Sequence, residues 1–394
     1  MDPPSSASRA QRRGRTKRKK GAPERRCACQ AIRQSKGQAE RIALTAAGLV
    51  SLRRRYLVCP ACGTGCHPRD AWLGLEGFLS PQARRLVCLA AASWSFDRAS
   101  DLLHQLCGLR VSDTTIRQAA VTAGADVRAW QRHSGAPKAA FAAASGEIEF
   151  STDGTGVNTL QGWREMRLAV FAKRSPGPAA RPEQWQQRDL PTPSVRVLFG
   201  GLWTAEQFGP QWRTWAARLG IRQTESITVL ADGAKWIWNQ VEQNLPGCSG
   251  VLDIYHASEH LYAAAKTLHG EGTAEVPAWV ERQRQTLLHG GVAALDVALA
   301  EQARGLRSPR KRRAVVELRE YLSRHVEHSS YRERLERGQS IGSGMVEGAC
   351  KTVVGKRLKQ TGARWRVRHA ERMVALCGLL YSDLWDEYWN QNKN

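Results

Sequence analysis

The strongest rhythm in the chain is Glu147-Ile148-Glu149-Phe150-Ser151-Thr152, which runs into Asp153-Gly154-Thr155-Gly156. Ile148 and Phe150 alternate with polar neighbours, the period of a half-buried strand. The glycines after Asp153 let the backbone turn close to a ligand. The same design recurs at Ser226-Ile227-Thr228-Val229-Leu230-Ala231-Asp232-Gly233. Alternation also predicts strands over 166–172 and 195–199, parted by a Pro-, Arg- and Gln-rich loop at 174–194. A helical period spans about 204–219, and another helix starts at 235–240. Residues 250–256 read as a fifth strand that runs into a helix carrying His260.

Three strands, then helix, strand, helix, strand, helix, is the order of a ribonuclease-H-like α/β domain, whose first part would be 146–261. Residues 262–338 lack strand signals and carry helical runs at 279–284 and 311–318, so they are expected to be a helical insertion. Its basic cluster of Arg307, Arg310, Lys311, Arg312 and Arg313 is by default a solvated face, with phosphate contact the alternative. The domain would resume over 339–390. Ahead of it, 78–132 is helical. One helix stops at Gly108, and Ser112 caps the next, which opens Asp113-Thr114-Thr115-Ile116-Arg117-Gln118. Such a pair fits a DNA-binding helix-turn-helix with Thr114, Thr115, Arg117 and Gln118 in the groove; a plain helical hairpin gives the same pattern. Residues 131–145, rich in Ala, Gly, Ser and Pro, read as a linker.

Cysteines cluster nearer the start: Cys27-Ala28-Cys29, then Cys59-Pro60-Ala61-Cys62-Gly63, then Cys66-His67. Two thiolates in Cys-Pro-x-Cys-Gly reach one tetrahedral ion, so 27–70 is expected to be a zinc-binding knuckle. Cys27 and Cys29 would complete the four ligands, or else Cys66 and His67. Such a site would be structural, because no ligand position stays open. Reduced cysteines without metal are the alternative.

Charge then narrows the partners. Lys and Arg total 59 against 36 Asp and Glu, a net charge of +23. A chain this basic is usually held to a polyanion, because each neutralised phosphate releases counterions. Residues 1–26 read as a basic disordered arm. No stretch approaches the ~18 apolar residues that a spanning helix needs, so no membrane partner is expected.

A third acid stands in Ile341-Gly342-Ser343-Gly344-Met345-Val346-Glu347, one turn into a helix that Ser343 would cap. Behind it the chain is basic, with Lys351, Lys356, Arg357, Lys359, Arg364, Arg366 and Arg368, and Trp365 among them. A salt bridge from Glu347 to Lys351, four residues on, is one explanation of the acid, and metal ligation the other.

Asp153-Gly154-Thr155, Asp232-Gly233, Gly342-Ser343-Gly344-x-x-Glu347 and the trailing Lys359-x-x-Gly362-x-x-Trp365 together resemble a bacterial insertion-sequence transposase of the DDE type. The ISKra-type elements and their Mutator-like relatives are nearest. Asp253-Ile254-Tyr255-His256 matches a further motif of those relatives, and the resemblance covers about residues 80–389. It implies that Asp153, Asp232 and Glu347 hold two Mg²⁺ (or Mn²⁺) ions, with Asp253 and His256 near the site. It also implies DNA partners (element ends and target), a homo-oligomer, and a place in the bacterial cytoplasm at the nucleoid. A ribonuclease-H-like nuclease or resolvase, or a non-catalytic DNA-binding protein derived from a transposase, are the alternatives. The fold class expected is therefore α/β: a ribonuclease-H-like catalytic domain with a helical insertion, preceded by a zinc-knuckle-like and helical DNA-binding region.

Overall fold

The structure, a computed structural model, describes residues 25–75, 77–360 and 362–391. The basic arm expected over 1–26 therefore lies, as far as residue 24, outside the described residues. The chain divides into two compact units, Met1–Arg84 and Arg85–Asn394.

In the first unit β1 (Gln34–Thr45) and β2 (Gly48–Val58) form a long antiparallel hairpin, and β3 (Gly65–Cys66) adds to β2. A short helix, α1 (Pro68–Trp72), follows. Sequence pattern marks only the second strand of the hairpin. Most of β1 is exposed on both faces, so no apolar alternation identifies it. Asp70 accepts from both Arg41 and Arg54, which ties α1 to β1 and β2.

α2 (Pro81–Ser93) carries the chain into the second unit, followed by α3 (Phe96–Cys107) and α4 (Asp113–His133). Gly108 ends α3 in the left-handed conformation (φ 67), and the Ser112 hydroxyl caps α4 by accepting from the Thr115 N–H. The linker expected over 131–145 is instead α5 (Ala136–Ala143). Its composition is that of a helix rather than a linker, because Ala is the best helix former and Pro137 sits in the first turn. Phe141 anchors it in the core.

Five strands then build a mixed sheet: β4 (Glu147–Thr159), β5 (Gly162–Arg174), β6 (Val195–Gly201), β7 (Ile227–Ala231) and β8 (Ser249–Leu252). Their order in space is β6-β5-β4-β7-β8, with β5 antiparallel to its neighbours and β4, β7 and β8 mutually parallel. α6 (Ala205–Leu219) and α7 (Lys235–Asn244) are the crossovers. Ile148, Phe150, Phe171, Phe199, Val229 and Ala231 face these helices in one core with Phe208, Trp212, Trp215 and Ile237.

The opposite face is covered too, so β4 is not the half-buried strand that its alternation suggests. Its polar residues Glu149, Ser151 and Thr152 are buried. Glu149 is paired with Arg174 at 3.0 Å and accepts from the Ser340 hydroxyl. Those partners lie far away in the chain, which is why the pattern alone misreads the strand's burial.

The fifth strand is shorter than expected. It ends at Leu252, and Ile254-Tyr255-His256 form the first turn of α8 (Ile254–His269). α9 (Glu275–Gly305), bent at Gly291 (φ 66), α10 (Pro309–Ser323), a 3₁₀ turn (Val326–His328) and α11 (Tyr331–Glu336) follow. These helices share a core with Leu230, Val251 and Leu252, so the helical segment grows out of one end of the sheet.

α12 (Gly344–Ala349) continues directly into a π-helical stretch, Cys350–Lys356. α13 (Val367–Tyr381) and α14 (Trp385–Gln391) close the chain. α13 packs on β6 and α4, and a Cβ added at Gly124 would meet the Arg372 carbonyl oxygen at 2.2 Å. The helical region at 85–132 is thus built into the α/β unit. The closing aromatics are core residues, with Trp385, Tyr388 and Trp389 buried and Tyr381 half-buried.

Candidate functional site

Register brings the aspartates level. Ser151 lies opposite Leu230 in the parallel pair β4–β7, so two residues further on Asp153 and Asp232 stand level. Asp232 follows the last residue of β7, whereas β4 does not turn at Asp153-Gly154 as expected but runs on, paired to β5, to Thr159. Ala231 lies opposite Leu252 in β7–β8, which aligns Asp232 with Asp253 in the same way. The carboxyl ends of parallel strands are where open α/β sheets bind ligands. By alternation Asp153 points with Ser151, and Asp232 with Leu230, to one face of the sheet. Asp153 accepts from the Gly154 N–H at 2.6 Å, and Asp232 from the Ala234 N–H at 2.9 Å. Burial, then the like charge of Asp232, raises the Asp153 carboxyl above its ordinary range, against the pull of the Gly154 N–H. A buried acid with a second carboxylate beside it favours a cation between them.

The segment that leads to Glu347 is held by a chain of specific bonds. Glu149 on β4 accepts from Ser340, and the Ile254 N–H donates to the Ile341 carbonyl at 3.1 Å. Asp253 then accepts from the Ser343 N–H. The approach to α12 is therefore bound from Glu149, near the start of β4, to Asp253, just past the carboxyl end of β8. Ser343 occupies the cap position, but its side chain makes no cap bond. Glu347 is half-buried one turn into α12 and lies 3.4 Å from Lys351, so the salt bridge weighed above is present. Cys350, on the next turn, donates its thiol to Asp153, and burial raises that thiol's pKa. The π-helical turn that begins there is a geometry often found at functional sites.

Asp253 plays a different part from the other acids. It is fully buried, and its Oδ1 accepts from the N–H groups of Tyr255 (2.6 Å) and His256 (3.0 Å) while Oδ2 takes Ser343. Three donors leave this carboxylate little capacity for a metal. It joins the start of α8 to the entry of α12. His256, half-buried, lies 3.5 Å from Glu259 and within electrostatic reach of Asp153.

Sequence reasoning passed over four residues here: Glu149, Ser340, Cys350 and Tyr321. Tyr321 of α10 lies over Gly233, where an added Cβ would meet its hydroxyl at 2.2 Å. Burial, then the charges of Asp232 and Asp253, raises its phenol. His260 stacks on the Tyr321 ring at 3.6 Å. No local motif marks Tyr321, because it comes from the helical segment and only the fold brings it to Asp232.

Of the residues assigned to DNA, Thr114, Arg117 and Gln118 are exposed at the start of α4, and Thr115 is half-buried at its cap. Lys351, Lys356, Lys359 and Arg364 are exposed, and Lys359 donates to the Thr155 hydroxyl at 2.5 Å. Arg357 is a correction. It is 2% exposed, donates to the Ala91 carbonyl, and lies over the rings of Phe96 (4.5 Å) and Trp365 (5.3 Å). A guanidinium held there reaches no phosphate.

The cysteine cluster is a second site, in the first unit. Cys27, Cys29, Cys59 and Cys62 bring their sulfurs within 4.8 Å of one another and could hold a metal such as zinc. The individual separations are 3.5 Å (Cys27–Cys62), 3.4 Å (Cys29–Cys59) and 3.7 Å (Cys29–Cys62). Tetrahedral zinc with ~2.3 Å bonds requires about 3.8 Å between sulfurs. The alternative pair is elsewhere: Cys66 is outside the group, and His67 packs on Tyr56 at 4.9 Å. The Thr64 hydroxyl and N–H bring the Cys62 thiol down to about 6, which favours the thiolate that binds metal.

Among the described residues no other His, Cys, Asp or Glu group is gathered so tightly. Asp153, Asp232 and Glu347 stand wider apart.

No helix among the described residues is long and apolar enough to cross a membrane. No protein-family model matches the chain, and no curated protein matches it.

Proposed function

We propose that the chain is a DNA transposase of the DDE type built on a ribonuclease-H-like fold, which cuts the 3′ ends of its element and joins them to target DNA. What supports this reading most is the register that sets Asp153 and Asp232 level on the adjacent parallel strands β4 and β7. The segment that leads to Glu347 is held across the sheet through Ser340, Ile341 and Ser343.

Asp153, Asp232 and Glu347 would hold two Mg²⁺ or Mn²⁺ ions, whose donor set of carboxylate oxygens suits hard cations. When bound, such ions activate the attacking oxygen and stabilise the leaving one in phosphodiester cleavage. The protein's own share is placement. Asp253 and Glu149 hold the approach to α12, Cys350 holds Asp153, and Lys359 beside Thr155 offers a cation to a phosphate. Element ends and target DNA are the partners this implies, with a homo-oligomeric assembly bringing two ends together. In the first unit the four cysteines would hold one structural zinc.

The test uses DNA from either side of the gene, where imperfect inverted repeats are expected, with a supercoiled plasmid as target. With Mg²⁺ the wild type yields cut ends and joined products. Asp153→Asn binds the ends but loses cleavage by at least 10²-fold, on the scale of a lost metal ligand. Undiminished cleavage removes Asp153 from the site, and cutting without joining assigns the chain to a nuclease instead.

A further inference from the structure

The β4–β5 hairpin outruns the sheet. β7 pairs with β4 only as far as Ser151, yet β4 and β5 stay paired to their turn at Thr159 and Gly162. The turn is rigid: the Thr159 hydroxyl donates to the Gly162 carbonyl (2.6 Å) and accepts from the Gln161 N–H (3.2 Å), and Gly162 takes φ +93. On the edge that β7 leaves, residue 365 forms a parallel bridge with Thr159. The Trp365 N–H donates to the Asn158 carbonyl (3.0 Å) and its carbonyl accepts from the Leu160 N–H (2.9 Å). The tip is therefore supported on both sides.

This rigid tip presents Trp163, 72% exposed, and Leu160, 50% exposed. Large apolar groups fixed in water on a braced turn ask for a partner. The Trp163 ring lies over Gly156, where even a Cβ would stand only 3.4 Å from it. One face of the indole is thus supported by bare backbone and the other is open. The charge around it is positive. Trp365 pairs with Thr159 and is buried on the side of Phe96, so alternation turns Arg364 and Arg366 to the side of Asn158, Leu160 and Trp163. Both arginines are exposed, and neither is paired with an acid among the described residues. The basic surface continues along α13 to α4. After burial, Arg366, Arg372, Arg117 and Arg368 hold the His369 imidazole below its ordinary range, which places Arg117 of the α4 cap beside this group. Asn158, the cross-strand partner of Trp163, lies five positions along β4 from Asp153, about 17 Å at ~3.4 Å per residue, and alternation turns it and Trp163 to the face of the hairpin opposite Asp153.

We infer that Trp163, flanked by Arg364 and Arg366, is a stacking platform for an unpaired DNA base at the tip of the hairpin, on the face opposite the acids. An aromatic face with flanking guanidinium groups is how proteins hold single strands without reading sequence. A second copy of the chain is the poorer occupant, because the same basic surface would face itself. The inference rests on reading the chain as a DNA-acting protein.

Binding is measured on the full chain, without divalent metal, by fluorescence anisotropy. The probes are a labelled oligodeoxythymidylate of about 15 nucleotides and a blunt duplex of equal length, long enough for several contacts. Trp163→Ala is expected to weaken the single strand roughly tenfold and leave the duplex unchanged, whereas Trp163→Phe keeps the affinity within about twofold. Arg364→Gln with Arg366→Gln weakens both probes and flattens the salt dependence. Equal single-strand affinity in wild type and Trp163→Ala overturns the inference, as does equal loss on both probes. A change in oligomeric state from Trp163→Ala with DNA binding intact assigns the tip to self-association instead. Wild type that binds duplex while Trp163→Ala is silent sinks the platform alone. Wild type that binds neither probe sinks the DNA reading and the platform with it.

Discussion

Asp253 offers a sharp test of how this end of the sheet is held together. Its carboxylate is fully buried and accepts from three backbone N–H groups, two on α8 and one at Ser343, ninety residues away. Asp253→Asn keeps one oxygen for the Tyr255 and His256 donors but turns an NH₂ toward the Ser343 N–H. A charge-assisted bond of about 1.5–3 kcal/mol is lost, and a buried donor is left unpaired. A total near 3 kcal/mol is expected. Asp253→Ala also removes the helix cap, worth roughly 1 kcal/mol more, and orphans the remaining donors, for about 4–6 kcal/mol altogether. Urea titration followed by tryptophan fluorescence measures both, and Asp253→Asn should lower the thermal midpoint by about 5 °C. Calorimetric titration with Mn²⁺ supplies a second readout, in which folded Asp253→Asn retains metal binding and Asp153→Asn does not. A loss below about 0.5 kcal/mol in Asp253→Asn, coupled to lost metal binding, would refute the clamp and make Asp253 a ligand.

Other consequences concern the cysteines, Gly233 and His325. The purified chain should carry one zinc, lost in Cys59→Ser and kept in Cys66→Ser, by metal analysis with a chelating dye; retention in Cys59→Ser contradicts the four-cysteine site. Gly233→Ala should cost about 1–3 kcal/mol by driving a methyl into the Tyr321 ring, and almost nothing in a Tyr321→Ala background. A full cost in both backgrounds, read by urea titration, refutes that contact. Burial, and then the neighbouring His328, lowers the pKa of His325 to about 4. The unfolded chain takes up that proton near the ordinary imidazole pKa of ~6.5, so stability falls as pH drops from about 6.5 towards 4. His325→Leu should flatten that decline in thermal midpoint, and an unchanged slope counts against the cause.

Local patterns were legible wherever neighbours in sequence decide the outcome. The strand, helix and strand order from 146 to 261 matches β4 through α8, because apolar periodicity and glycine punctuation are properties of short stretches. Ser112 and Gly108 are likewise local, since caps and turns form within a few residues, whereas the turn expected at Asp153-Gly154 is absent because β5 pairs with β4 as far as Thr159. The segment at 131–145 was misread although its signal was present: alanines after a proline favour a helix over a linker.

What the chain determined by itself was therefore most elements of the α/β unit and the Asp-Gly pairs within β4 and after β7. Tertiary structure decided the rest, because burial and convergence depend on partners tens to hundreds of residues away. Arg357 belongs to a basic run by sequence, yet Phe96 and Trp365 enclose it, while the similar Arg364 stays in water. Cys27 and Cys29 take precedence over Cys66 and His67 because the chain brings their sulfurs to Cys59 and Cys62. Glu149 and Asp253 bond to Ser340 and Ser343, which fixes the segment that leads to Glu347. No pattern along the chain encodes such bonds, since the donor and the acceptor each satisfy their local rules whether or not they meet.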